Sequence, residues 1–148
     1  MKKTGWLLLS VLLLLACGKQ TGKKTESVKS EPRKDMVEVL YFYGKQRCAT
    51  CLCIERSTKE ILEKHYADDI KQKRLLYRKI DISRKENKSI AEKYEVSWSS
   101  LFLVHWKNGN EKVKNLTDTA FVYARSSPEL FEKILRNQID GLLSQIDY

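Results

Sequence analysis

Arg47-Cys48-Ala49-Thr50-Cys51-Leu52-Cys53 holds three of the four cysteines in this chain of 148 residues. The stretch follows an apolar run, Val37 to Tyr43, and leads into a run with helical periodicity, Leu52 to Tyr66. A Cys-x-x-Cys spacing between a strand and a helix is typical of a redox pair. Unpaired N–H groups and the dipole at a helix start favour a thiolate, so we expect a lowered pKa for Cys48. Cys51, one helical turn further on, is the expected resolving thiol.

Two other interpretations of these cysteines stay open. One is that Cys48 and Cys51 form a structural disulfide. The other is a thiolate site in which Cys48, Cys51 and Cys53 bind Cu(I), Zn or arsenite. A four-ligand zinc site usually needs a second Cys or His pair, and the two histidines are far apart in the sequence. For the redox interpretation, Arg47 adds positive charge that we expect to support the Cys48 thiolate, and we expect no cofactor.

The first 35 residues predict a targeting segment and a tether. Residues 1–16 combine Lys2 and Lys3 with a short apolar run, as in a signal peptide. The motif Leu14-Leu15-Ala16-Cys17 resembles a bacterial lipobox, which implies acylation of Cys17. An ordinary signal peptide or a short membrane anchor is the alternative. Residues 18–35 are too polar to bury a core and predict a flexible tether. We therefore expect a lipid-anchored protein of the bacterial cell envelope, on the periplasmic side or at the cell surface.

Residues 36–148 predict one α/β domain with the element order βαβαββα. Ser83 with Glu86 resembles a capping box, and Asn108-Gly109 is a strong hairpin signal. The predicted strands are 36–43, 75–82, 101–106 and 111–116, and the predicted helices are 52–66, 84–94, a short one near 118–124 and a last one from Pro128. The formal net charge of +9 favours anionic membranes or acidic partners, and the chain lacks the aromatic and basic layout of a nucleic-acid module.

From about Met36 to Ile146 the chain resembles thioredoxins. The resemblance rests on Cys48-Ala49-Thr50-Cys51, Tyr94-Glu95-Val96 and Lys107-Asn108-Gly109. It implies a three-layer sandwich around a mixed sheet of about four strands, and thiol–disulfide exchange as the activity. Ser99, Ser100 and Leu101 occupy the region where thioredoxins place a proline opposite the cysteine pair. Trp98, Ser99 and Ser100 are therefore expected to support or contact a substrate.

A narrower resemblance covers Tyr41 to Cys51, Val96 to Phe102 and Asn115 to Asp118. These segments resemble small bacterial proteins of the ArsF-like nitrophenyl-compound nitroreductase subunit family.

The leading hypothesis is a lipid-anchored thiol–disulfide oxidoreductase outside the cytoplasm, in which Cys48 attacks and Cys51 resolves. Its expected partners are protein thiols or disulfides and a redox partner that the sequence does not name. The alternatives are the thiolate metal or metalloid-binding protein and a redox-inert adaptor whose contact surface surrounds Trp98.

Overall fold

The computed structural model describes residues 34–146, which form four strands, five α-helices and one 3-10 turn. The predicted signal peptide and Cys17 lie outside the described residues, as does nearly all of the predicted tether. The elements are β1 (Met36–Tyr43), α1 (Ala49–His65), α2 (Ala67–Lys71), β2 (Leu75–Asp81), the 3-10 turn (Lys85–Asn87), α3 (Lys88–Lys93), β3 (Ser100–Lys107), β4 (Asn110–Asn115), α4 (Thr117–Tyr123) and α5 (Pro128–Leu143).

The four strands form one mixed sheet in the order β2-β1-β3-β4. Strand β1 pairs in parallel with β2 and antiparallel with β3, and β4 returns antiparallel to β3. This strand order, with a helical crossover between β1 and β2 and a hairpin at the opposite edge, is a thioredoxin-like fold. The predicted α/β class and mixed four-stranded sheet are confirmed. None of the helices within residues 34–146 has the length and apolar content that crossing a membrane requires.

Strand β1 is central because nearly all of its residues are apolar and both faces of the sheet are covered. Val37, Val39 and Tyr41 pack with α1, α4 and α5 on one face. Leu40 and Phe42 pack on the other face with β3 and with partly buried side chains of α3 and the segment after it. The predicted three layers are thus present. They fix the end of β1 between two packed faces, at the point where residues 44–48, here called the cysteine loop, lead into α1.

Two local predictions need correction. Helix α1 begins at Ala49, three residues before the predicted start, so that Cys48 is its N-cap residue. The predicted helix after Ser83 is replaced by the 3-10 turn and a shorter α3, and Ser83 caps neither element. The Ser83 backbone N–H and hydroxyl both donate to Asp81 Oδ1, at 2.9 and 2.6 Å. This local turn competes with a capping box because it uses the same serine groups.

Candidate active site: the dithiol at the start of helix α1

Cys48 occupies the N-cap position of α1, with an extended backbone (φ −74°, ψ 164°). Its Sγ accepts a hydrogen bond from the Cys51 backbone N–H at 3.1 Å. Its own carbonyl accepts the N–H of Leu52 at 3.1 Å, which starts the helical ladder. The sulfur thus takes the part that a serine or aspartate oxygen usually takes at a helix start.

This position favours the thiolate of Cys48. Hydrogen bonds from the Cys51 side chain, from the Cys51 backbone N–H and from the Thr50 N–H lower the pKa of Cys48 below its ordinary value. The residue is exposed, so the activated sulfur is open to a partner. A thiolate that is both stabilised and accessible is the requirement for attack on a disulfide.

Cys51 is shielded from solvent, whereas Cys48 is exposed to it. Only 7% of Cys51 is exposed, and both residues are free thiols in this structure. The hydroxyl of fully buried Tyr41 donates to the Cys51 carbonyl at 2.7 Å and so ties the first turn of α1 to β1. Burial raises the pKa of Tyr41, and the neighbouring Arg47 and Ser99 side chains offset only part of that effect. This phenol therefore stays protonated and acts as a donor.

Arg47 does not present an unpaired charge to Cys48, and its support of the Cys48 thiolate stays a prediction. Its guanidinium forms an ion pair with Glu55 of α1 and lies 4.8 Å from the ring centre of Tyr43 and 5.8 Å from that of Tyr41. Only 20% of its side chain is exposed. Much of the field that Arg47 exerts on Cys48 is offset by the carboxylate it pairs with.

Glu55 is held by two cations. One carboxylate oxygen pairs with Arg47 and the other with Lys79 of β2. Partial burial alone would raise the pKa of Glu55, but the hydrogen bonds from Lys79 and Arg47 outweigh it and the pKa is lowered. A carboxylate held ionised with both oxygens engaged is a poor proton acceptor for Cys51. The sequence did not identify this cluster, because Lys79 is brought to Glu55 by the parallel pairing of β1 with β2.

A cavity of about 660 Å³ opens beside the dithiol. Cys48 and Cys51 line one side of it, Trp98 and Ser99 come from the segment before β3, and Phe121 comes from α4. Trp98 is 67% exposed and Phe121 is 37% exposed, so two aromatic rings border the cysteines without being packed in the core. The short predicted helix near residues 118–124 contains Phe121, but no sequence pattern places that ring beside Trp98.

Ser99, just before β3, and Ser100, its first residue, differ in their positions. Both are buried, Ser99 with 5% and Ser100 with 6% of its surface exposed. Ser99 lines the cavity, whereas the Ser100 hydroxyl donates to the Trp98 carbonyl at 3.1 Å. Ser100 therefore supports the conformation of the Trp98 segment and does not border the cavity itself.

Cys53 belongs to a different surface of α1. Its thiol donates to the Ala124 carbonyl at 3.2 Å and lies 3.9 Å from the Ser57 hydroxyl. Two residues along a helix turn a side chain by about 200°, which directs Cys53 away from Cys51. Among residues 34–146 no three Cys, His, Asp or Glu side chains come close enough to hold a metal ion. The three-cysteine ligand set of the metal hypothesis is therefore not assembled.

Comparison with known proteins gives likenesses in structure only. No family model and no curated protein matches the chain. Thioredoxin-2 of the malaria parasite, described as a component of its protein secretion machinery, is 25% identical with a TM-score of 0.43, over 70% of this chain and 84% of that one. The thioredoxin of Fasciola hepatica is 20% identical with a TM-score of 0.44, over 74% and 83%. Trxlp from Edwardsiella tarda is 20% identical with a TM-score of 0.43, over 68% and 82%. Membership of the ArsF-like family stays a prediction.

Proposed function

We propose that this protein is a thiol–disulfide oxidoreductase that works through Cys48 and Cys51. The observation that carries the proposal is the hydrogen bond from the Cys51 N–H to Cys48 Sγ at the start of α1. It favours the thiolate on the exposed cysteine of a pair whose second member is buried. An accessible attacking thiol and a shielded resolving thiol are what exchange through a mixed disulfide requires.

The reaction has two steps. The Cys48 thiolate attacks one sulfur of a substrate disulfide, and the other substrate sulfur leaves as a thiolate that takes a proton from solvent. Cys51 then loses its proton and attacks Cys48 Sγ, which breaks the mixed disulfide and releases the second substrate thiol. The protein ends with a Cys48–Cys51 disulfide and the substrate with two thiols, a transfer of two electrons. The reverse sequence oxidises a dithiol substrate.

The proton of Cys51 leaves through the cavity in this mechanism. Glu55 is held ionised between Arg47 and Lys79, and Tyr41 keeps its proton because burial raises its pKa. Cys51 borders the open cavity together with Cys48, so water there is within reach of its thiol. The second substrate sulfur then leaves at the same place and takes up a proton from that water.

Polypeptide substrates fit this site. Trp98 and Phe121 give the cavity an apolar border beside the sulfur, and burial of such rings is favourable when a partner covers them. We therefore extend the substrate-contacting set predicted from sequence by Phe121. Ser99 lines the same cavity, and Ser100 supports the loop that carries Trp98.

The setting of the reaction is proposed from the sequence. The signal-like residues 1–16 and the lipobox-like Cys17 support a lipid anchor, with residues 18–35 as a tether between the membrane and the domain. A location outside the cytoplasm agrees with disulfide chemistry, which persists in oxidising compartments. A separate redox partner must restore the starting state of the cysteines after each cycle. The nitroreductase activity implied by the ArsF-like resemblance is not assigned, because no glycine-rich phosphate loop occurs in the sequence.

Trapping the mixed disulfide tests this function. A Cys17→Ala background leaves only the three cysteines of the domain. In it, Cys51→Ser should accumulate a covalent adduct between Cys48 and a disulfide-bonded peptide, because the resolving step is blocked. Cys53→Ser is the matched control and should turn over without accumulating the adduct. Adducts that form on Cys53, or that fail to form when Cys51 is replaced, would contradict the proposal.

A further inference from the structure

We propose that Arg47 and Glu55 are positioning residues, whose ion pair clamps the cysteine loop onto α1 and so holds Cys48 Sγ on the Cys51 N–H. The inference rests on the proposed thiol–disulfide function. It assigns to Arg47 a mechanical role in place of the direct electrostatic one that its sequence position suggests.

The clamp bridges the start of the helix. Arg47 directly precedes the N-cap residue Cys48, and Glu55 lies one helical turn beyond Cys51. The side chains of Arg47 and Glu55 are only 20% and 18% exposed, so this pair is largely protected from solvent. Lys45 and Gln46, the other side chains of the loop, are exposed. Arg47 is thus the inward-facing contact of residues 45–47.

Both ends of the clamp are fixed by further contacts. The guanidinium lies over the ring of Tyr43 at 4.8 Å, which secures the loop end against β1. At the helix end, Glu55 is held by α1 itself, of which it is part, and the pair with Lys79 of β2 adds charge there without linking Glu55 to the loop. The Tyr41 hydroxyl, which donates to the Cys51 carbonyl at 2.7 Å, fixes the helix turn between the two ends. A hydrogen bond weakens steeply when donor and acceptor lose alignment, so this rigidity bears directly on the Cys48 sulfur.

A clamp and a direct charge effect predict opposite results for one substitution. If Arg47 acted on Cys48 by charge alone, removing the Glu55 carboxylate would leave the guanidinium uncompensated and would lower the Cys48 pKa. If the pair acts as a clamp, the same removal releases Arg47, loosens the loop and raises the Cys48 pKa. Lys79 provides the matched control because it pairs with Glu55 without contributing to the Arg47 contact. Loss of its positive charge raises the Cys48 pKa under the charge account and leaves it unchanged under the clamp.

The test is the pH dependence of Cys48 alkylation by iodoacetamide in the Cys17→Ala chain with Cys51 retained, with the label assigned to its residue by fragmentation of the peptide that carries Cys48, Cys51 and Cys53. Glu55→Ala should raise the Cys48 pKa by about half a unit, which slows labelling about threefold on the acidic side. Lys79→Met should label at the parental rate. Circular dichroism of each variant establishes that it is folded. Glu55→Gln, which keeps the size and one acceptor oxygen, serves if Glu55→Ala does not fold and should give a smaller rise.

Three results would overturn the clamp. A lower pKa in Glu55→Ala would show that Arg47 acts by charge. An unchanged pKa would show that the pair does not position the loop. An equal rise in Lys79→Met would assign the effect to the whole charged cluster. None of these depends on whether the protein exchanges disulfides, because the trapped adduct of the Cys51→Ser variant decides that separately.

Discussion

Removing the Trp98 ring should slow reaction with protein disulfides far more than it lowers stability. Trp98 is 67% exposed, which leaves on the order of 160 Å² of ring surface free. If a bound polypeptide covers half of that area, about 80 Å² leaves water, worth about 2 kcal/mol at ~25 cal/mol per Å². Trp98→Ala should therefore lower kcat/KM by about 30-fold. Phe121→Ala, with less exposed surface, should lower it by about fivefold.

The assay compares a disulfide peptide that has phenylalanine beside its cysteine with the small substrate hydroxyethyl disulfide. The Trp98→Ala loss should appear with the peptide and not with the small disulfide, because the latter cannot cover the ring. Val113→Ala is the matched control. Val113 is also exposed, at 46%, but lies on β4 opposite Val104 and is not part of the cavity border. An equal loss with both substrates, or a loss in Val113→Ala as large as that in Trp98→Ala, would refute the proposal that Trp98 contacts the polypeptide substrate.

The remaining predictions concern pH, the third cysteine of the domain and the anchor. Burial and the nearby Lys107 and Lys112 lower the pKa of His105, so the unfolded chain takes up a proton first as pH falls below about 6.5. The contribution of His105 to the free energy of unfolding should be constant above that pH. Below it, this contribution should decline by at most about 1.4 kcal/mol per pH unit. His105→Gln should flatten the decline in urea unfolding between pH 7.5 and 5, and an unchanged slope would show that the histidine is not responsible. Cys53→Ala should leave the redox potential within about 10 mV of the parent value and cost about 1 kcal/mol of unfolding free energy, since the bond to Ala124 and the weak contact with Ser57 are lost. A larger potential shift would give Cys53 a redox role. Cys17→Ala should release the protein from the membrane fraction or stall its processing, and unchanged association and mature size would contradict the lipid anchor.

The sequence predicts the sheet well, because its strands carry strong local signals. The apolar run of β1 requires cover on both faces and so places that strand at the centre. The hairpin between β3 and β4 follows from Asn108 and Gly109, which adopt φ values of 52° and 76° as that turn type requires. The helix after β2 was less well predicted because Asp81 captures the Ser83 groups that a capping box needs. Local competition of this kind depends on geometry that residue spacing does not record.

In the candidate site, too, the sequence predicts what depends on local spacing and misses what depends on the folded geometry. The Cys-x-x-Cys spacing places Cys48 and Cys51 at the helix start, and the structure adds the hydrogen bond that activates the first sulfur. The orientation of the Arg47 side chain is not predictable from its neighbours in the sequence. Its partners come from the second turn of α1 and from β1, which only the folded chain brings together. Phe121 was overlooked for the same reason, since its place beside the cysteines depends on how α4 packs.

The most direct test of the account is the midpoint potential of the Cys17→Ala protein in defined thiol–disulfide buffers, with each remaining cysteine replaced in turn. We expect one reversible two-electron couple that survives Cys53→Ser and is lost in Cys48→Ser and in Cys51→Ser. Because the lowered pKa of Cys48 stabilises the dithiol form, the couple should become more reducing as substitutions raise that pKa. A couple that requires Cys53, or no reversible couple in the protein with Cys48, Cys51 and Cys53 intact, would contradict the central claim.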